Sequence, residues 1–547
     1  MVQSKGRATL KYFSIKKTII FIAIITSSVF TQTVGLLVNE DSSSDGYTLF
    51  TPKNYTSTYL INNDGLLIHE WESEYLPTMT VYLLEDGNLL RSSGLSNGGN
   101  QKGGFQVLDW DGNVVWQYTA PTQHHDIEPL PNGNVLLILN DLKTKAEVTE
   151  FGGNPDNLAA KIRGLKIIEV EHDGAGEGNI VWEWTIWDHL IQDFDSTKAN
   201  YGIVADHPEL MDVNFGQTGS SDWLHTNGID YNPELDQIVV SNRTINELWI
   251  IGHNSTTEEA AGEAGHLLFR WGNPTSYRAS GEQKLFGQHD THWIESGLNG
   301  EGNILIYNNG IGRPDSSYST ADELILPVDN SGNYSLTPGS AFEPVDFLWS
   351  YHMEPKHYSS KYSSTQRLPN GNTLICCGDK GIFFEINPAK EIVWEYINPV
   401  SDTGAVFQGD TLINSVGRCY RYSPEYPGLA GKDLTPGKPI EKYENVSIKN
   451  DDIQTNTFLL HNNYPNPFNP STTIDFEISE SMNVKIEIYD VSGKLVSSLV
   501  NRNFQSGKYS TLWNGCDHFG NPISSGVYFY KLTGKTQTIS KKMILIK

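Results

Sequence analysis

The sequence predicts an all-β protein: a six-bladed β-propeller over residues 45–425, followed by a small β-sandwich over 456–547. Three observations carry that expectation. An inner hairpin recurs along the chain: a polar mouth, a short strand, a tight Gly/Asn turn and a second, apolar strand. An outer hairpin alternates with it and ends in an aromatic-bearing strand. Each outer copy also holds a tryptophan at the same place, namely Trp71, Trp116, Trp182, Trp271, Trp349 and Trp394. A two-hairpin unit recurring with insertions is the sequence signature of propeller blades, and a fixed aromatic in every unit reads as packing between neighbours.

The chain has 547 residues, enough for two domains and a targeting segment. A formal net charge of −26 argues against nucleic acid or an anionic membrane surface as a partner. Any anionic substrate must then be drawn by a local positive pocket. The start is basic (Lys5, Arg7, Lys11, Lys16, Lys17) and is followed by the apolar run Thr18–Val29. Residues 1–35 therefore read as a signal peptide, since the run is short for a membrane span. The four cysteines, Cys376, Cys377, Cys419 and Cys516, contain no CxxC pair, so a zinc ribbon is not expected. A disulfide from Cys419 to Cys376 or Cys377 stays open.

The inner hairpins run over 79–93, 124–140, 225–243, 289–310, 363–378 and a degenerate 404–418. The clearest, 123–140, reads QHHDIEPLPNGNVLLILN. The outer hairpins run over 59–71, 105–118, 164–184, 247–271, 323–351 and 381–396. The chain opens on an outer half and closes on an inner half. Joining 59–71 to 404–418 completes a sixth blade and removes the exposed sheet edges. Inserts at 141–163, 187–222, 253–266 and 311–345 read as loops on one face. Residues 426–455, rich in Pro, Gly, Lys and Asp, read as a linker. The alternation and Gly/Asn/Ser turns of 456–547 argue a sandwich.

Histidines open three inner hairpins: His124/His125, His225 and His289/His292. Placed at equivalent strand starts, they are expected to converge on one mouth of the central channel. The strand period of two puts His225 and Asn227 on one face and turns His292 away from His289. Arg243, Arg313 and Arg367 are the nearest cations. A guanidinium fork matches carboxylate, phosphate or sulfate, and imidazole can donate to the same oxyanion, move a proton or attack as a nucleophile. The same region offers a metal alternative, since His125, Asp126, His225, His289 and Asp290 include zinc or iron ligand types.

Two resemblances follow from quoted strings. Tyr464-Pro-Asn-Pro-Phe-Asn-Pro470, Asp490–Gly493, Trp513-Asn-Gly515, Ser525-Gly-Val-Tyr-Phe529 and Lys541-Lys542-Met-Ile-Leu-Ile-Lys547 closely resemble the C-terminal sorting domain of type IX secretion cargo. That resemblance implies export across the outer membrane of a Gram-negative cell, with the type IX machinery as partner. Asp222-Trp-Leu-His225-Thr-Asn227-Gly-Ile-Asp230 with Ser241-Asn-Arg243, and Gln288-His289-Asp-Thr-His-Trp-Ile294 with Ile306-Tyr-Asn-Asn-Gly310 and Arg313, resemble the arylsulfotransferase family. So do the HHD-led hairpin and Gln366-Arg-Leu-Pro-Asn-Gly-Asn372.

The family resemblance implies sulfuryl transfer from an aryl sulfate donor to a phenolic acceptor, through a sulfohistidine and without a nucleotide. His225, His289 and Arg313 would hold the sulfate oxygens, and Asn227 joins them from strand geometry. No cofactor or resident metal is expected. The family's attacking histidine follows the fifth inner hairpin in a GS-x-H-like string. Here that place reads Cys377-Gly-Asp-Lys-Gly-Ile-Phe383 and holds no histidine. His125 or His292 is the expected replacement, with direct transfer between bound partners as the alternative. A non-catalytic propeller that binds a sulfated or acidic ligand, and a metal-dependent hydrolase or lyase, are the competing functional expectations.

Overall fold

The structure is a computed structural model that describes residues 32–95, 103–174, 177–329, 331–337, 339–410, 414–442, 458–491, 493–535 and 538–547. The signal segment expected over 1–35 lies outside the described residues except for 32–35. The chain divides into two compact units, 1–444 and 445–547.

The first unit is all-β and is built from six antiparallel sheets of four strands, one of them extended by a fifth. Their leading strands are Pro77–Leu83, Gln123–Pro129, Thr226–Asn232, His289–Trp293, Ser364–Arg367 and Val416–Tyr422. Within the first five sheets the second, third and fourth strands follow in chain order, because tight turns such as Pro131-Asn-Gly-Asn134 join antiparallel neighbours. Each leading strand touches the next, and Val416–Tyr422 touches Pro77–Leu83.

Separate apolar clusters fill the spaces between successive sheets. Leu90 and Phe105 of the first sheet pack with Ile127 and Val135 of the second. Leu49, Leu60 and Trp71 of the sixth pack with Val81 and Leu89 of the first. Five of the six repeat tryptophans lie on outermost strands, and Trp394 lies on the strand next to the edge strand Gly35–Asn39. Four of their indoles donate to a backbone carbonyl in or beside the next sheet: Trp71 to Asp109, Trp116 to Glu177, Trp271 to Pro344 and Trp394 to Asn63. Each such ring buries a large apolar area and satisfies its one polar atom, which is why the position is aromatic in every unit.

The sixth sheet corrects the expected closure. It takes one strand, Val416–Tyr422, from the end of the unit and three, Tyr47–Pro52, Thr58–Asn62 and Leu67–Trp71, from its beginning. The polar stretch expected as an inner hairpin over 404–418 does not supply two strands. Its Gly404–Ala405 instead pairs with Val400–Ser401. Gly35–Asn39 is also a strand, pairing with Ile392–Ile397 at the edge of the fifth sheet, so ordered structure begins ahead of residue 45.

The linker expected from 426 starts later. Tyr426 donates to the Leu83 carbonyl, Leu429 is buried and Pro439 bridges Leu66. Apolar side chains in a Pro/Gly-rich stretch hold it against the sheets as far as 442. Residues 443–455 lie outside the described residues.

The second unit pairs Phe458–Leu460, Thr472–Ile478 and Gly507–Trp513 in one sheet. A second sheet holds Leu495–Phe504, Met482–Asp490, Gly526–Thr533 and Thr538–Leu545. The alternating residues Ile474, Phe476, Val484, Ile486, Tyr530 and Leu532 meet in one core between them.

Candidate active site

The site lies where the leading strands begin, and backbone kinks build it. His125, His225 and Asp290 adopt left-handed backbone conformations, with φ of 57°, 49° and 52°. His125 lies opposite the register break between Leu137 and Leu139, Asp290 lies in the break between His289 and His292, and His225 immediately precedes a strand whose register breaks between Thr226 and Gly228. An inserted residue bends the strand and re-aims the side chain. Non-glycine residues in this region carry strain of order ~1–3 kcal/mol each, and such strain gathers at functional sites.

Below the kinks Arg418, from the closing strand, ties the mouth together. Its Nη2 donates to Asp126 Oδ2 at 2.5 Å, and its Nη1 pairs with Asp290 Oδ1 at 3.0 Å. Asp126 also accepts from Ile229 N at 2.9 Å, Asp230 from Trp293 N at 2.7 Å and Asp290 from Thr365 N at 2.8 Å. Each carboxylate thereby locks one leading strand to the backbone of the next.

Above this belt three imidazoles meet. His125 Nε2 lies 2.9 Å from His225 Nε2, and His225 Nδ1 lies 2.6 Å from Asp222 Oδ2. The His124 ring is 4.1 Å from that of His125 and 5.0 Å from that of His225, and its Nδ1 faces the Thr226 carbonyl at 3.1 Å. A carboxylate and a carbonyl only accept, so both Nδ1 atoms carry protons and Nε2 is the lone-pair nitrogen in the neutral rings. His289 lies 6.5 Å from His125 between ring centres. Its Nδ1 donates to Asn309 Oδ1 at 2.7 Å, and its Nε2 accepts from Tyr362 N at 3.3 Å.

Burial keeps His124, His125 and His289 neutral. It lowers His124 to about 4, with the neighbouring His225 adding to the effect. Burial likewise lowers His289 to about 3 against the Asn309 hydrogen bond, with Arg243 and His225 assisting. His125 falls well below the ordinary value through burial and the charges of His124, His225, His289 and Lys53. Burial pushes Asp222 upward, but the hydrogen bond and charge of His225 outweigh it and hold the carboxylate low.

The cations are not those the sequence singled out. Lys53 stands 4.5 Å from the Tyr362 ring centre and donates to the Thr78 carbonyl at 2.5 Å. Burial, then the charge of Lys361, brings it down to about 8. Arg243 is placed here as expected, close enough to act on His289. Arg163 lines a narrow crevice beside His124 and His225.

Arg313 is placed elsewhere. It donates to Thr320 Oγ1 at 2.9 Å, lies between the Phe286 and Tyr318 rings, and lines a separate cavity of about 270 Å³ that holds none of the clustered histidines. Arg367 is tied to Glu323 at 2.7 Å. Asn227 does not share a face with His225, because the kink at His225 breaks the period of two. Its amide donates to the Gln288 carbonyl at 2.8 Å and braces two strands. His292 turns to the carbonyl of Asp290, two residues back, at 3.1 Å. Among the described residues no contact joins it to the other four histidines. The expected set thus divides: His125, His225 and His289 come together, while Asn227, His292 and Arg313 do not join them.

Imidazoles, one of them braced by a carboxylate, beside an amine and a guanidinium make a pocket that can take an oxyanion and pass a proton. The scaffold that carries this pocket is all-β, with the site where neighbouring sheets meet. More narrowly, the chain belongs to the arylsulfotransferase family, whose model matches residues 31–414. A secretion-system C-terminal sorting domain matches residues 462–547, so the protein is type IX cargo, secreted or held at the cell surface.

No curated protein matches the chain. Among solved structures it is similar to a protein of unknown function from Bacteroides caccae (13% identity, 69% of this chain and 99% of that one, TM-score 0.37). It is also similar to an inactive virginiamycin B lyase from Staphylococcus aureus (11%, 68% and 90%, TM-score 0.32) and to Kuenenia stuttgartiensis hydrazine synthase (15%, 49% and 67%, TM-score 0.30). Overlaps this loose assign neither a fold nor an activity.

Proposed function

We propose that the six sheets are the blades of one closed propeller, joined to the sorting domain by the segment after residue 442, and that the protein is an exported aryl-sulfate sulfotransferase of a Gram-negative cell. The observation that carries this reading is the chain Asp222–His225–His125 beside His289, inside the segment that matches the family. His125 replaces the histidine absent after Cys377.

Asp222 holds the Nδ1 proton of His225, so His225 Nε2 can take the Nε2 proton of His125. The other nitrogen of His125 attacks sulfur as that proton leaves. The S–O(aryl) bond breaks, and its electron pair goes to the phenolate. Asp222 stabilises the imidazolium formed at His225. Lys53, lowered to about 8 by burial, is matched to protonate the departing phenolate. In the second half the acceptor phenol gives its proton to Lys53 and attacks sulfur. The N–S bond breaks, and His125 recovers its proton from His225. Arg243 faces the sulfuryl oxygens, and His289, held between Asn309 and Tyr362 N, walls the pocket beside it.

The test is turnover of a chromogenic aryl sulfate with and without a phenol. Release should depend on phenol, vanish in His125→Ala and persist in His292→Ala. Turnover by His125→Ala at the wild-type rate would contradict the assignment. The family membership and the retained proton path favour this reading over a non-catalytic binder of sulfated ligands.

A further inference from the structure

We propose that His124, His125 and His225 also form a binding site for one divalent transition-metal ion of zinc-like ligand preference. One ring nitrogen from each of the three lies within 4.8 Å of the others. The His125 and His225 Nε2 atoms already face each other at 2.9 Å, a spacing that must be bridged by one shared proton or one cation. Zinc–imidazole bonds of about 2.0–2.1 Å at tetrahedral angles set ligand nitrogens roughly 3.3 Å apart. Modest ring movements therefore bring all three lone pairs onto one centre.

The outer partners fit as well. Histidine ligands characteristically donate their second ring N–H to a carboxylate or a backbone carbonyl, which fixes the tautomer and raises basicity. His225 has Asp222 for this at 2.6 Å, and His124 has the Thr226 carbonyl at 3.1 Å. The left-handed backbones at His125 and His225 aim two of the rings inward. Lys53, Arg163, Arg243 and Arg418 oppose a dication; Asp126 and Asp290 are paired with Arg418, and Asp222 offsets one of the others. Three protein ligands leave a fourth position for water or an anion.

The site rests on this geometry and not on sulfuryl transfer. The two activities exclude each other, because a metal on the facing Nε2 atoms removes the path by which His125 passes its proton to His225. Metal-loaded protein should then be inactive in transfer.

The test uses the full exported chain, stripped with a chelator and titrated with Co²⁺. The expected result is one Co²⁺ per chain, a visible absorption band of four-coordinate cobalt and its loss on adding Zn²⁺. The band should disappear in both His124→Asn and His225→Ala and persist in His292→Ala. Circular dichroism and metal-free Tm establish that each variant is folded. Zn²⁺ should raise Tm of wild type and leave that of folded His124→Asn unchanged. Folded wild type without a cobalt band, or a band that survives both variants, overturns the proposal. A cobalt band in the loaded protein together with no sulfuryl turnover by the metal-free protein upholds the metal site and defeats the transfer reading. Turnover without a band does the reverse.

Discussion

Replacing Asp222 by Asn tests the proton path at its most defined contact. The carboxylate lies 2.6 Å from His225 Nδ1, and the two side chains are 32% and 22% exposed. When His225 takes a proton it becomes a cation whose charge centre sits roughly 4 Å from that of the carboxylate. At an effective dielectric of about 20 the pair is worth about 4 kcal/mol. Partial exposure screens it, and about 2 kcal/mol is a fair discounted figure. That converts to roughly 30-fold in rate. The amide can also donate to Nδ1 and so favour the wrong tautomer, which adds to the loss. The assay is steady-state turnover of a chromogenic aryl sulfate with saturating phenol. kcat should fall by about that factor with KM little changed, because the charge develops only in the transition state. A rise in KM at constant kcat, or no change in either, would refute the assignment of Asp222 and His225.

Other consequences follow from the same contacts. Arg418→Met leaves Asp126 and Asp290 buried without their cation and should cost about 3–5 kcal/mol in urea unfolding. A loss under about 1 kcal/mol would show that Arg418 does not tie the strands. Lys53→Met should slow donors with poor leaving groups far more than nitrophenyl sulfate, and equal slowing would remove Lys53 from proton transfer. His289 titrates near 3 when folded against 6.5 as an ordinary histidine. Between those values the unfolded chain holds the extra proton, so stability falls as pH drops below 6.5, by up to roughly 1.4 kcal/mol per unit. His289→Asn should flatten that slope in urea midpoints measured from pH 7 to 4, and an unaltered slope contradicts the assignment.

The repeat was legible because turns and tryptophans mark it directly. PNGN and DGN turns fix hairpins locally, and Trp71, Trp116 and Trp394 recur because each caps a sheet against the next. The closing strand arrangement was hidden. Tyr47–Pro52 ends in a proline and lacks a glycine turn, so nothing local pairs it with Val416–Tyr422 across the whole unit.

The histidine cluster was legible as a coincidence of position, but its members were not. Strict alternation puts Asn227 beside His225, whereas the left-handed kink at His225 turns Asn227 toward Gln288. Arg313 follows an Asn-Asn-Gly turn, and its aromatic cage forms only after folding. Lys53 carries no motif and reaches the site from the turn that follows Tyr47–Pro52, far away in sequence. Asp222 was within reach: an aspartate three residues ahead of a strand-opening histidine is a local bracing signal. Arg418 closes the degenerate last hairpin, where no repeat pattern distinguishes it from a surface arginine.

The most direct measurement is the intact mass of the metal-free exported chain after brief exposure to an aryl sulfate without acceptor. A gain of one sulfuryl group, mapped to His125 and discharged on adding phenol, is the predicted result. Phenol-dependent turnover with no such gain, or a gain mapped to another side chain, would contradict the claim that His125, with its proton passed to His225, carries the reaction.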